Sequence, residues 1–172
     1  AAQEAKARDL PVLLAAAYIV PQFLYAEGMV PSRAMFEELE EQAQGFIDDA
    51  AAAIREVTTE VELMQQLHEG SPISMLLELS KEADMVVIGS RGLGGIAGAL
   101  LGSVSASLVG HAHCPVVVLR DDMDLAAEHN RIVVGADGSP VSALAVQTAY
   151  QEADAHGSEL VAVNAWLDLS LI

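Results

Sequence analysis

The chain has 172 residues, of which 52% are hydrophobic and 19% charged, a composition typical of globular domains rather than of disordered chains. Its formal net charge of −17 disfavours nucleic acid and anionic membranes as partners, because both carry negative charge. The single cysteine, Cys114, excludes an intrachain disulfide and fits a reducing compartment such as the cytoplasm.

The first half of the chain alternates apolar strand-like runs with helical patterns. The run that ends at Val20 lies between two prolines, and the helical segment after it has apolar residues at helical spacing with acidic residues between them. Ser71 is a candidate N-cap, with Pro72 at the first helical position. The predicted elements of this half are a buried strand at 10–20, a loop at 21–31, a helix at 35–56, a strand at 60–67 and a helix from 72 to about 83.

The second half continues the same alternation. Its predicted elements are a buried strand at 84–89, a helix at 104–111, a buried strand at 115–120, a linker at 121–130, a strand, turn and helix from Arg131, and a strand at 159–166. Because the strands are apolar throughout and separated by helices, they predict a parallel sheet with helices on both faces.

The chain contains an internal repeat. AQEAKA at residues 2–7 aligns with YQEADA at 150–155, and both are followed by a strand that ends in alanine and an aromatic residue. The repeat predicts tandem domains: 1–120 is a first domain without its first strand and most of its first helix, 121–130 is a linker, and 131–172 is the start of a second domain. On this interpretation the chain is one repeat period, cut out of phase from a longer protein.

The strongest chemical signal is a glycine loop with the spacing G-x2-G-x9-G-S, formed by Gly89, Gly92, Gly102 and Ser103. Glycines at a strand end let a ligand approach the backbone closely. Gly102 and Ser103 open a helix, whose free N–H groups and dipole favour an anion. The hydroxyls of Ser103 and Ser105 can donate to phosphate oxygens. The pattern predicts a phosphate site, and the alternative is a glycine-rich turn in which Ser103 is an ordinary N-cap.

Two other patterns are open to different interpretations. Residues 92–119 carry no charged side chain, but serines, histidines and Pro115 divide the stretch and argue against a membrane span. His111, His113 and Cys114 are residue types that bind zinc, but they lack a spaced second pair. A helix-to-strand turn explains them more simply.

These motifs resemble the universal stress protein family. The G-x2-G-x9-G-[S/T] spacing is the signature of its ATP-binding branch, and LHEGSP, EADMVVIGSRG, HAHCPVVVLR and RIVVGADGSPVSALAVQTA are similar to further family segments. Together they cover most of the chain. The resemblance implies a Rossmann-like sheet of five parallel strands in the order 3-2-1-4-5 with helices on both faces, of the adenine nucleotide alpha hydrolase type.

The resemblance also implies site residues. It places the phosphates on the glycine loop and the following helix. It places adenine against Asp137 and the turn that follows it, and against the backbone near the ends of the second and fifth strands of the domain. The implied nucleotide-binding residues are Gly89, Gly92, Gly102, Ser103, Val104, Ser105, Ala17, Tyr18 and Val117 in the first domain and Gly135, Asp137, Gly138 and Ser139 in the second. Asp137 also fits a turn before a helix capped by Ser139, and both roles can hold together. Tyr18 either stacks on the base or fills core, and core is favoured.

The function that the resemblance implies is ATP-dependent regulation or sensing in a stress response. The cofactor would be ATP, with any Mg²⁺ held mainly by the phosphates. The implied partners are regulatory proteins and a second domain or copy that pairs through the fifth strand, 115–120. Residues 89–105 contain no lysine and no carboxylate, which favours binding over catalysis and allows at most slow ATP hydrolysis. A weak ATPase and an oligomer that binds no nucleotide are the alternatives.

Overall fold

A computed structural model of the protein describes residues 1–20, 32–90, 92, 101–120 and 130–165. The predicted loop at 21–31, all of the predicted linker except Asn130, and most of the interior of the glycine loop lie outside the described residues. The chain forms two compact units, Ala1–Met123 and Asp124–Ile172.

The first unit alternates helices and parallel strands, as the sequence predicts. Its elements are α1 (Ala2–Arg8), β1 (Val12–Tyr18), α2 (Arg33–Val57), β2 (Leu63–Glu69), α3 (Pro72–Leu79), β3 (Val86–Gly89), α4 (Ser103–His111) and β4 (Val116–Leu119). β1 pairs with β2, and β3 pairs with β4. The long helix α2 is capped by Ser32 and buries Ala43, Ile47 and Ala51, which recur every four residues along one face.

Helix α3 ends at Leu79, about one turn earlier than the sequence predicts. Ser80, which is 1% exposed, donates its hydroxyl hydrogen to the carbonyl of Leu77 at 2.7 Å. The same hydroxyl oxygen accepts the N–H of His113 at 3.0 Å. A serine that bonds locally to the backbone competes with helix continuation. Here it also ties the end of α3 to the turn before β4.

The second unit is a strand–helix–strand motif made of β5 (Arg131–Gly135), α5 (Pro140–His156) and β6 (Glu159–Val163). The strands are parallel, with Arg131 opposite Glu159. α5 starts on Ser139, whose hydroxyl accepts the N–H of Ser142, and ends on Gly157 in the left-handed conformation. Its buried alanines, Ala149 and Ala153, are one turn apart on one face.

The described strands do not form the expected five-stranded sheet in the order 3-2-1-4-5. They form three two-stranded parallel sheets, β1–β2, β3–β4 and β5–β6. The expected order needs a strand between β1 and β3, and the segment that resembles that strand, Arg131–Gly135, pairs with β6 instead. The predicted burial of the strands at 10–20, 84–89 and 115–120 is only partly met. Val20 and Val86 are buried, but Leu13 is 38% exposed and all four residues of β4 are half-buried. Each described strand has one strand neighbour, so part of its apolar surface stays open.

The apolar stretch at 92–119 contains, where it is described, the nine-residue helix α4 and the four-residue strand β4. A turn that includes Pro115 separates them. Within the described ranges, no helix is both long and apolar enough to cross a membrane.

Candidate functional site

The two ends of the glycine loop are hydrogen-bonded to each other at the carboxyl end of β3. The N–H of Ser90 donates to the carbonyl of Leu119 at 2.6 Å, which extends the β3–β4 ladder by one residue. The carbonyl of Ser90 then accepts the N–H of Gly102 at 2.7 Å. The chain therefore leaves the sheet at Ser90 and returns to the same point to begin α4.

The side chain of Ser105, near the start of α4, hydrogen-bonds to the backbone at the other end of the glycine loop. It is 3% exposed, and its hydroxyl donates to the carbonyl of Gly89 at 2.8 Å. The carbonyl of Ser90 lies 3.4 Å from the same hydroxyl. The expectation that Ser105 donates to phosphate is therefore revised, because its hydroxyl hydrogen is already used by the backbone. Val104 is half-buried beside it.

The start of α4 differs from the starts of α2, α3 and α5. Those three helices begin on Ser32, Ser71 and Ser139, whose side chains each accept a backbone N–H of the first turn. The N-cap of α4 is Gly102, and no side chain of the described residues caps this helix. Ser103 follows and is exposed. An uncapped helix start with an exposed hydroxyl can hold an anion, because its N–H groups point out of the helix end.

Asp137 lies in the turn between β5 and α5 and is exposed. Its Oδ1 accepts the N–H of Ser139 at 2.9 Å, and Gly138 takes a φ of +83° that favours glycine. The turn and the serine cap that the sequence offered as an alternative role are therefore both formed. Hydrogen bonds from the side chain of Ser139, then from its backbone, and then from the side chain of Ser142 lower the pKa of Asp137 to about 2. The group is a carboxylate at neutral pH and can accept further hydrogen bonds.

Ala17 and Tyr18 end β1, and their backbone groups point in opposite directions. The carbonyl of Tyr18 accepts the N–H of Gly70 at 2.9 Å, so its backbone faces β2. Alternation along a strand turns the N–H and C=O of Ala17 toward the other edge. Partial burial, and then the charges of Glu40 and Glu69, raise the pKa of Tyr18. The hydroxyl of Tyr18 therefore stays protonated beside these acidic side chains. The backbone groups of Ala17, unlike those of Tyr18, are not bonded to β2.

Val117 lies in β4 opposite Val87. The carbonyls of its neighbours at Pro115 and Leu119 accept N–H groups from Val86 and Ser90. Residues 115, 117 and 119 share one edge of the strand, so the backbone of Val117 also faces β3. Its polar groups belong to the ladder, and we therefore leave Val117 out of the proposed site.

The cluster around His113 has the contacts of a helix-to-strand turn. His111 Nδ1 donates to the carbonyl of Ser107 at 3.0 Å, one turn back along α4. The backbone of His113 is bound to Ser80. Partial burial raises the pKa of the Cys114 thiol, which opposes the thiolate form that zinc prefers.

The sequence interpretation did not single out Asn164, which directly follows β6. Its Nδ2 donates to the carbonyl of Ala136 at 2.5 Å, immediately before Asp137. The N–H of Ala136 donates to the carbonyl of Val163 at 2.8 Å. A single asparagine after a strand has no motif spacing around it. Only the pairing register of the two strands brings it beside Ala136.

Parallel strands joined through helices, with a glycine loop between a strand and an open helix start, define an α/β protein of the parallel-sheet class. The model of the Universal stress protein family matches residues 1–120 and 128–171. The chain belongs to this family.

Relatives with known names support this assignment. Universal stress protein Rv2005c of Mycobacterium tuberculosis is 44% identical over 126 residues, which are 72% of this chain and 41% of that protein. Universal stress protein Rv1996 of the same organism is 36% identical over 185 residues, which are 98% of this chain and 58% of that protein. The chain thus spans about half the length of these relatives.

A solved structure confirms the fold class. The crystal structure of a universal stress protein from Archaeoglobus fulgidus matches with a TM-score of 0.66 and 22% identity. The match covers 81% of this chain and 51% of that one. At this identity the likeness establishes the shared α/β fold.

Proposed function

We propose that the protein binds ATP and acts as a nucleotide-dependent regulator in a stress response. The observation that carries the proposal is the start of α4, which has no side-chain cap and follows a glycine loop whose two ends are hydrogen-bonded to each other. A fixed loop end places the first-turn N–H groups and the Ser103 hydroxyl at the carboxyl end of β3. Ligands of open α/β folds bind at that end of the strands.

The phosphate part of the proposed site consists of Gly89, Gly92, Gly102, Ser103 and the backbone of Val104 and Ser105. The protein carries a net charge of −17, so phosphate must be held by local groups against an unfavourable field. Backbone N–H groups and the dipole of α4 can do this without a cationic side chain. Any Mg²⁺ would be held mainly by the phosphates.

The base part of the proposed site is formed by the turn after β5. Asp137, with its pKa lowered to about 2, is an acceptor at neutral pH, and the amino group of adenine is a matching donor. Gly135 ends β5 before the turn, and Gly138 and Ser139 form the turn. In the first unit, the base would contact the backbone of Ala17, near the end of β1. The side chain of Tyr18 is assigned to packing.

The tandem arrangement is part of this proposal. Residues 1–120 then carry the phosphate part of one site, and residues 131–172 carry the base part of another. Each site is complete only in the tandem protein that we propose, and the ATP-binding experiments below use that tandem protein. The five-stranded sheet in the order 3-2-1-4-5 belongs to each complete domain. We further propose a cytoplasmic location, because the single cysteine suits a reducing compartment. We also propose that regulatory proteins are the partners that recognise the nucleotide-bound state.

Binding is proposed in preference to turnover. Residues 89–105 contain no lysine that could reach the terminal phosphates and no carboxylate that could orient water. Hydrolysis by such a loop would be slow, so the bound nucleotide would persist long enough to be read by a partner.

Titration calorimetry with ATP on a matched pair of variants tests the proposal. Gly102→Glu places a negative charge at the start of α4, at a φ of −71° that any residue adopts. Gly110→Glu adds the same charge near the other end of α4, where an added Cβ meets no atom within 4 Å. We expect Gly102→Glu to weaken ATP binding by at least about tenfold, which is about 1.4 kcal/mol, and Gly110→Glu to leave it unchanged. Equal affinity in wild type and Gly102→Glu would refute the phosphate assignment.

A further inference from the structure

At the carboxyl end of β5 and β6, a side-chain amide replaces a backbone N–H as the last donor of the hydrogen-bond ladder. The N–H of Ala136 donates to the carbonyl of Val163 at 2.8 Å. In a regular parallel ladder, the carbonyl of Ala136 would next accept the backbone N–H of Ala165. The Nδ2 of Asn164 occupies that position instead, at 2.5 Å from the carbonyl oxygen.

The hydrogen bond from Asn164 fixes Ala136, the residue immediately before the turn at Asp137. Ala136 is held through both of its backbone polar groups, to Val163 and to Asn164, and Asp137 is the next residue. The Oδ1 of Asp137 is in turn held by the N–H of Ser139. Without the amide of Asn164, the carbonyl of Ala136 would lose its protein partner, and the peptide unit that leads to Asp137 could rotate.

A second asparagine closes the opposite end of the same strand pair. Asn130 precedes β5, and its Nδ2 donates to the carbonyl of Gly157 at 3.4 Å. Its Oδ1 accepts the hydroxyl of Ser158 at 3.0 Å. The two asparagines thus make comparable contacts at the two ends of β5 and β6, but only Asn164 adjoins Asp137.

We propose that Asn164 is a positioning residue for base recognition, because its amide holds the Ala136 carbonyl and so sets the direction of the Asp137 carboxylate. The inference rests on the proposed function, in which Asp137 accepts a hydrogen bond from the amino group of adenine. The inference adds Asn164 to that site, and the pairing register of β5 and β6 is what brings Asn164 beside Ala136.

The test compares ATP with purine riboside triphosphate, which lacks the amino group, on the tandem protein proposed above. Asn164→Ala should weaken ATP binding about fivefold to tenfold, as expected when a hydrogen bond to the base is misaligned and loses the worth of one ordinary hydrogen bond. It should change binding of the purine analogue less than about twofold. Asn164→Asp keeps the shape and removes the donor, so it should match or exceed this loss. Asn130→Ala is the control and should leave the ratio of the two affinities unchanged.

Amide hydrogen exchange supplies a readout that needs no nucleotide. The N–H of Ser139 reports on the turn, since it donates to Asp137. Its exchange should be faster in Asn164→Ala and unchanged in Asn130→Ala. Equal loss for both nucleotides, the same loss in Asn130→Ala, or unchanged exchange at Ser139 would each overturn the inference. If the wild type binds neither nucleotide, the proposed function fails, and exchange at Ser139 alone then decides whether Asn164 holds the turn.

Discussion

Ser103 and Ser105 lie two residues apart at the start of α4, but their surroundings differ. Ser103 is exposed, whereas Ser105 is buried and donates to the carbonyl of Gly89. Sequence alone treats both as small hydroxyl residues at a helix start. Which of them faces inward depends on how α4 lies against the sheet, and the hydrogen bond from the Gly102 N–H to the Ser90 carbonyl joins the start of α4 to the end of β3.

The two serines should therefore separate stability from binding. Ser105→Ala leaves the carbonyl of Gly89 without its hydroxyl partner and should lower the free energy of unfolding by about 1 kcal/mol. Ser103→Ala should change it by less than about 0.5 kcal/mol but should weaken ATP binding. Urea denaturation and calorimetry on both variants check this. Equal destabilisation by the two substitutions would contradict the different roles.

The ionisation of Asp137 gives a second prediction at this scale. Its pKa is lowered from the ordinary 3.8 to about 2, first by the side chain of Ser139. The charged form therefore stabilises the folded state above about pH 3.8, and this contribution is lost as the pH falls toward 2. Ser139→Ala should raise the pKa of Asp137, as measured by NMR titration of its carboxyl carbon. An unchanged pKa would show that another group holds the carboxylate.

At the scale of the elements, sequence periodicity predicted the type of each expected strand and helix correctly, but α1 was not among the predicted elements. Bounds shifted where a tertiary contact decided them: α3 stops at Leu79 because Ser80 bonds to both Leu77 and His113. The turn at Asp137 was also predictable, since glycine, serine and proline fix it locally. Asn164 was not, because its partner is distant in sequence and is selected by the strand register. The arrangement of the strands into sheets likewise depends on long-range pairing.

The outer edge of β4 yields a prediction about assembly. Residues 116, 118 and 120 alternate with those that face β3, so they line the opposite edge of the strand. If this apolar edge pairs between domains or copies, Val118→Pro should remove one outward N–H and weaken the assembly. Val117→Pro is the contrasting variant, since it removes a bond to β3 and should lower stability instead. Sedimentation velocity that gives the same assembly for Val118→Pro and wild type would exclude this edge as the interface.

At the scale of the whole molecule, charge is the dominant feature. A net charge of −17 repels ATP at long range, while the N–H groups of α4 attract phosphate only at short range. Salt screens the long-range part more strongly. The association rate of ATP should therefore rise about twofold or more between low and physiological ionic strength. Stopped-flow measurements with a fluorescent ATP analogue check this, and a rate that falls with salt would indicate a site dominated by cationic side chains.

The most direct test of nucleotide binding at the glycine loop is native mass spectrometry of the purified protein with ATP. The account predicts that the wild type and Gly110→Glu carry a mass increment equal to ATP, which denaturation removes. It predicts that Gly102→Glu, folded to the same extent, carries one ATP fewer than the wild type, because the site that contains Asp137 is a separate one. A wild type without the increment at saturating ATP, or a Gly102→Glu variant that carries as much ATP as the wild type, would contradict the account.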